Sequence, residues 1–253
     1  MTPMITLRSA LASRAVRTVR IGPLLGLAGQ TVVLAVLGVT AGIGLDGWLA
    51  GLAYGLVVCV ALSRGLGRAG AGRLRPADRV TVARAALVGG VTALTVHAFV
   101  GHVPVALLVS LAVVALVLDG VDGAVARRTG TQTDLGARFD MEVDAFLILV
   151  LSVAVARTLG WWVLAIGAMR YAYVAAGWLL PWLRGGVPPR YWRKVVAATE
   201  GIVLTAALSG LFPTWLSATA VAIALALLVE SFGRDVVWLW LNVRKGTLHK
   251  PGR

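Results

Sequence analysis

The sequence predicts an all-α, polytopic integral membrane protein of about eight transmembrane helices, and three observations carry that expectation. Of its 253 residues, 58% are apolar, and the mean hydropathy of +0.86 lies outside the soluble globular range. The apolar residues fall in long runs, several of them long enough for the ~30 Å hydrocarbon core of a bilayer. The cations are kept out of those runs: 21 of the 24 Lys and Arg residues lie in the N-terminal segment, the 64–79 linker, the 119–138 segment, the 184–194 loop and the C-terminal flank. By the positive-inside rule this places both termini on the cytoplasmic side of the plasma membrane. It also accounts for the net charge of +13 through membrane orientation and anionic headgroups, so no nucleic-acid partner is expected. The single cysteine, Cys59, sits in an apolar run; it has no partner for an intrachain disulfide and reads as a small core residue.

Taken in order, residues 1–20 carry Arg8, Arg14, Arg17 and Arg20 among apolar residues, the pattern of a basic amphipathic helix lying on the inner surface. The run 21–45 that follows exceeds a signal-peptide core and reads as a retained first span. A second span over 48–62 completes an extra N-terminal hairpin (21–63), and the Gly- and Arg-rich stretch 64–79 reads as a cytoplasmic linker. Six further spans (80–243) form the main membrane domain: 80–100, containing Arg84; 103–118; a helix entered near Thr133 or Asp134 and leaving near Arg157; 161–183, with Trp161 and Trp162 at one end and Trp178 and Trp182 at the other; 195–211; and 215–232. Paired tryptophans mark the two interfaces of a spanning helix. Residues 244–253 are a basic tail. No internal repeat is visible, which speaks against an inverted-repeat transporter.

One stretch stands apart. Residues 119–144 read DGVDGAVARRTGTQTDLGARFDMEVD and hold six of the eleven acidic residues. Asp119, Asp122, Gly123, Ala126 and Arg127 share one helical stripe, and Gly136, Asp140 and Asp144 share a stripe on the next helix. Two helices thus aim four carboxylates at one point, at the cytoplasmic end of the membrane. Converging carboxylates repel unless cations neutralise them, and an all-oxygen ligand set selects Mg²⁺, Mn²⁺ or Ca²⁺ over zinc. Two such ions with Arg127 beside them suit a diphosphate. Gly123, Ala126 and Gly136 are small enough for a substrate group to approach, although small residues at helical spacing also serve helix packing. A divalent-cation channel or carrier could use the same acids. Against that, they gather at one face instead of lining a path across the bilayer.

These residues resemble the signature of the CDP-alcohol phosphotransferase family, D-x₂-D-G-x₂-A-R-x₈-G-x₃-D-x₃-D. Asp119, Asp122, Gly123, Ala126, Arg127, Gly136, Asp140 and Asp144 match every fixed position and every gap. Upstream, PADRVTVAR resembles the family's P-x-N-x-x-T-x-x-R helix entry through Pro76, Thr81 and Arg84, with Asp78 in place of asparagine. The resemblance implies a six-helix catalytic core with Mg²⁺ or Mn²⁺, two ions per site, held by Asp119, Asp122, Asp140 and Asp144. It implies Asp144 as general base, and donor contacts from Gly123, Ala126, Arg127 and Gly136. The donor it implies is CDP-diacylglycerol or another CDP-alcohol, the acceptor a hydroxyl and the by-product CMP, in phospholipid synthesis; the lipid stays in the membrane and the enzyme is a homodimer. The reverse pairing, a small CDP-alcohol with diacylglycerol, fits as well.

Outside the signature, Arg170 lies mid-span, where a charge requires a partner or a cavity; it reads as a ligand for an acceptor phosphate or as an ion pair with Glu200 or Glu230. Arg190, Arg193 and Lys194 form an inner-face cluster that suits an acceptor phosphate. Glu200 reads as serving the pocket or pairing with a cation. His97, His102 and His249 lack companions at metal spacing.

Overall fold

The computed structural model describes residues 3–69, 76–129, 133–185, 187–188 and 191–244, and every element among them is helical. Eight α-helices follow one another: α1 (Pro3–Ala41), α2 (Leu45–Ala69), α3 (Pro76–His97), α4 (Val105–Thr129), α5 (Asp134–Leu159), α6 (Leu164–Leu179), α7 (Tyr191–Leu208) and α8 (Thr214–Arg244). Short 3₁₀ turns at Trp161–Val163 and Pro181–Arg184 flank α6. Five stretches, Gly22–Ala41, Leu45–Arg68, Asp78–His97, Trp161–Leu179 and Thr214–Val243, are long and apolar enough to cross a membrane, and Val105–Val121 is a shorter apolar segment. α5 and α7 are equally helical but carry charges inside their apolar length, Glu142, Asp144 and Arg157 in one and Arg193, Lys194 and Glu200 in the other. Large apolar side chains such as Val39 (90% exposed) and Leu179 (83%) face outward, as they do where lipid is the solvent and not in a soluble protein. The chain is a polytopic all-α membrane protein.

Three boundaries differ from the sequence reading. The basic N-terminal segment and the first span form one continuous helix, α1, which runs through Pro23; membrane helices tolerate such a proline because neighbouring groups re-satisfy the freed carbonyl. α2 continues to Ala69 and α3 opens at Pro76, so much of the 64–79 stretch is helical. Proline suits that opening position, where its missing N–H costs nothing. α8 continues past Phe232 to Arg244, and the charges along this stretch are paired. Glu230 pairs with Arg234 one turn on and accepts from Trp192 Nε1 at 3.1 Å, while Asp235 lies 3.4 Å from Arg193.

The chain forms two compact units, Met1–Asp144 and Ala145–Arg253. In the first, α3 is the central helix and packs against α1, α2 and α4. It is buried nearly all round, which is why its apolar residues show no single stripe. Small residues allow this. A side chain at Gly90 would meet Leu111 Cδ2 at 2.8 Å and Val33 Cγ1 at 2.9 Å, and one at Gly89 would collide with the amide of Gln30. Gln30, 2% exposed, donates from Nε2 to the carbonyl of Gly51 at 3.2 Å, pinning the N-terminal hairpin from within. At the far end of α3, His97 Nδ1 lies 3.0 Å from Asp46 Oδ2 and 3.3 Å from the Gly44 amide. His97 is therefore not alone, as its position in the sequence suggested; it ties the α1–α2 turn to α3.

In the second unit, α7 packs against α8, and α6 against α8 and the 3₁₀ turn after it. Tyr173 meets Phe232 edge-on with ring centroids 5.3 Å apart. Gly167 is the tightest approach: a Cβ there would lie 2.5 Å from Leu149 Cα. Because backbone cannot swing aside, Gly167→Val is expected to lower stability by about 1–3 kcal/mol, seen as an earlier midpoint in detergent unfolding.

Candidate active site

The acidic stretch folds as the end of α4 and the start of α5. Asp119 lies on α4, four residues before Gly123, and Asp140 and Asp144 lie on α5, one turn apart. The start of α5 is fixed by Thr133, whose Oγ1 accepts from the Gly136 amide at 2.9 Å. That is N-capping by the first of the two residues proposed from sequence. Gly136 is needed for a second reason: a side chain there would meet Asp78 Oδ1 at 2.6 Å. Asp78, on the first turn of α3, is thereby set against the backbone of the signature's second helix.

One oxygen from each of Asp119, Asp140 and Asp144 lies within 4.8 Å of the others, and all three residues are half-buried. At that separation each pair of like charges repels by about 3 kcal/mol for an effective dielectric of about 20. A cation that offsets part of this repulsion is at hand. Arg84, with no exposed surface, extends from α3 into the cluster. Its Nη1 pairs with Asp119 Oδ1, while its Nη2 pairs with Asp140 Oδ1, lies 3.1 Å from Asp144 Oδ1 and donates to the Asp140 carbonyl at 3.3 Å. One guanidinium thus joins three helices, using the fork geometry that suits arginine to carboxylates.

The convergence expected of the carboxylates is seen for three of the four. Asp122, Ala126 and Arg127 are on α4, but their side chains lie outside the described residues, as does the whole of Arg190; Gly123 is half-buried on the same helix. Oxygen ligands at this spacing, half-exposed on one side, fit a hard divalent cation. Sequence reading left Arg84 out of the site, although two signals pointed to it: a charge inside an apolar span, and its match to the helix-entry motif.

The second unit holds the remaining candidates. Arg170 is half-buried on α6 and Lys194 is exposed on the first turn of α7. Arg193 is committed to Asp235 and to the carbonyl of Pro188, so a phosphate there would compete with a carboxylate, and the inner-face cluster expected from sequence is in part an internal ion pair. Asp235, 7% exposed, is the partner that sequence spacing did not reveal. The ion pair considered for Arg170 with Glu200 or Glu230 is not the one these acids make. Glu230 is held by Trp192 and Arg234, and neither oxygen of the buried Glu200 has a hydrogen-bond partner among the described residues.

Comparison with known proteins agrees with the residues. The family model for CDP-alcohol phosphatidyltransferase matches residues 75–232, a stretch that takes in α3, with Arg84, and the whole acidic signature. Searches of the curated proteins and of the solved structures gave no match. With more than half of its length matched and three of the signature aspartates gathered at one point, the chain belongs to the CDP-alcohol phosphatidyltransferase family and is a membrane-embedded CDP-alcohol phosphotransferase.

Proposed function

We propose that the protein transfers a phosphatidyl group from CDP-diacylglycerol to the hydroxyl of a small polar acceptor, releasing CMP, as a step of phospholipid synthesis at the cytoplasmic face of the plasma membrane. The observation that carries this reading is the approach of Asp119, Asp140 and Asp144 within 4.8 Å of one another where two apolar helices end and begin. A donor with two acyl chains can keep them in the bilayer while its diphosphate reaches such a site. Asp119, Asp122, Asp140 and Asp144 would hold two Mg²⁺ or Mn²⁺ ions. When bound, these supply positive charge to the diphosphate oxygens and to the departing phosphate. Arg127 adds a cation for the same oxygens. Gly123, Ala126 and Gly136 leave room for the cytidine and ribose to approach the backbone.

Asp144 is the proposed base. It takes the proton of the acceptor hydroxyl, the acceptor oxygen forms a bond to the β-phosphorus, and the bond from that phosphorus to the bridging oxygen breaks, with its electron pair leaving on CMP. Arg170, Arg193 and Lys194 are the candidates for an acceptor phosphate. We further propose a homodimer in the membrane; a monomeric mass in nanodiscs would count against it.

The acceptor is named by one experiment. Purified protein is given CDP-diacylglycerol, Mg²⁺ or Mn²⁺ and a panel of acceptors comprising glycerol phosphate, inositol phosphate, serine and free polyols, with CMP as the readout; parallel reactions supply small CDP-alcohols with diacylglycerol. Metal-dependent CMP formation with CDP-diacylglycerol and one acceptor supports the reading. CMP formed only from a small CDP-alcohol would reverse the donor assignment, and none under any condition would refute the transfer.

A further inference from the structure

Arg84 does something in this fold that the ligand carboxylates cannot do for themselves. Its two terminal nitrogens are divided between two helices, Nη1 serving Asp119 on α4 and Nη2 serving Asp140 and Asp144 on α5. The guanidinium is wholly buried, whereas the three carboxylates keep between 33% and 42% of their side-chain surface exposed. The cation therefore grips them from the protein side, and every pairing is made through Oδ1. Its base is equally fixed, since Ala85, Ala86 and Val88 around it on α3 are buried. Nη2 also donates to the backbone carbonyl of Asp140, so the arginine holds main chain at the start of α5 as well as a side chain.

We propose that Arg84 is a positioning residue of the metal centre, holding Asp119, Asp140 and Asp144 together before any divalent ion arrives, so that the ion meets an assembled ligand set. This rests on the reading of those aspartates as metal ligands. Arginine suits this role because its planar fork holds two separate nitrogens in fixed directions, one toward each helix, whereas a lysine's donors all turn about one nitrogen and fix no such spacing. Groups that orient metal ligands change affinity by about 10- to 100-fold when replaced.

The test is Mn²⁺ binding to the full-length protein in detergent, followed by loss of the aqueous Mn²⁺ electron paramagnetic resonance signal, for the wild type, Arg84→Lys and Asp140→Asn. The expected result is binding by the wild type, with Arg84→Lys weaker by about tenfold or more although its charge is kept, and Asp140→Asn weaker still. If the wild type binds and Arg84→Lys binds equally well or more tightly, arginine is a competitor of the ion or a bystander, and the positioning role is overturned while the metal site stands. If the wild type does not bind, the metal reading fails and this proposal with it. A second measurement needs no variant and decides the matter if Arg84→Lys does not fold: amide hydrogen exchange of the wild type over 134–144 with and without Mg²⁺. An assembled site predicts a change of less than about twofold; protection of about tenfold or more would mean that the ion gathers its own ligands and would overturn the proposal.

Discussion

Asp144→Asn is expected to lower CMP formation by about a thousandfold while the protein still binds its CDP-linked donor. The substitution keeps the shape of the side chain and an oxygen at the position that faces Arg84, 3.1 Å away, so the contact between them is retained. What it removes is the ability to accept a proton, and a positioned base contributes about 10²- to 10⁴-fold. The two effects separate in one preparation, with CMP measured for turnover and donor-induced thermal stabilisation for binding. Unimpaired turnover would show that the base lies elsewhere. Equal loss of turnover and donor binding would make Asp144 a ligand alone.

Arg84→Ala is expected to cost about 3 kcal/mol of stability, among the largest effects of any single substitution in the first unit. Removing one partner of a buried ion pair is worth about 3–5 kcal/mol, and the lower end applies because the three carboxylates are partly exposed and partly screened. The loss has two sources: a wholly buried side chain leaves a void on α3, and three carboxylates within 4.8 Å lose the cation that offsets part of their repulsion. The electrostatic part has a distinct signature. Asp119→Asn should destabilise the wild type but recover part of the loss when added to Arg84→Ala, because it then removes a repelling charge. Detergent-unfolding midpoints of the four proteins would show this, and simple additivity would argue against the electrostatic account.

Much of this molecule is legible in the sequence because hydropathy and charge act locally. Apolar runs give the helices, and spacings of three and four residues put Asp119 on one helix and Asp140 and Asp144 on the next, facing a common point. The charges that settle at a distance are what escape such reading. Arg84 is an anomaly within its own span, and its partners, 35 to 60 positions downstream, are revealed only when α3, α4 and α5 pack. His97 looks isolated until the α1–α2 turn brings Asp46 to it. The span expected to end near Phe232 continues as α8, with Glu230 and Arg234 paired one turn apart and Asp235 held by Arg193 at the start of α7. Arg84, His97 and Asp235 each find their partner on another helix, where no local window can see it.

Binding of the donor's diphosphate by the aspartate cluster through divalent metal is open to phosphorus NMR with Mn²⁺. With CDP-diacylglycerol in excess over protein in detergent and sub-stoichiometric Mn²⁺, wild-type protein is expected to broaden both diphosphate resonances strongly beyond the effect of Mn²⁺ alone. Asp140→Asn is expected to abolish this excess broadening, while Arg170→Ala, outside the carboxylate cluster, leaves it intact. Broadening unchanged by Asp140→Asn, or none in the wild type, would show that the diphosphate is not held there through metal.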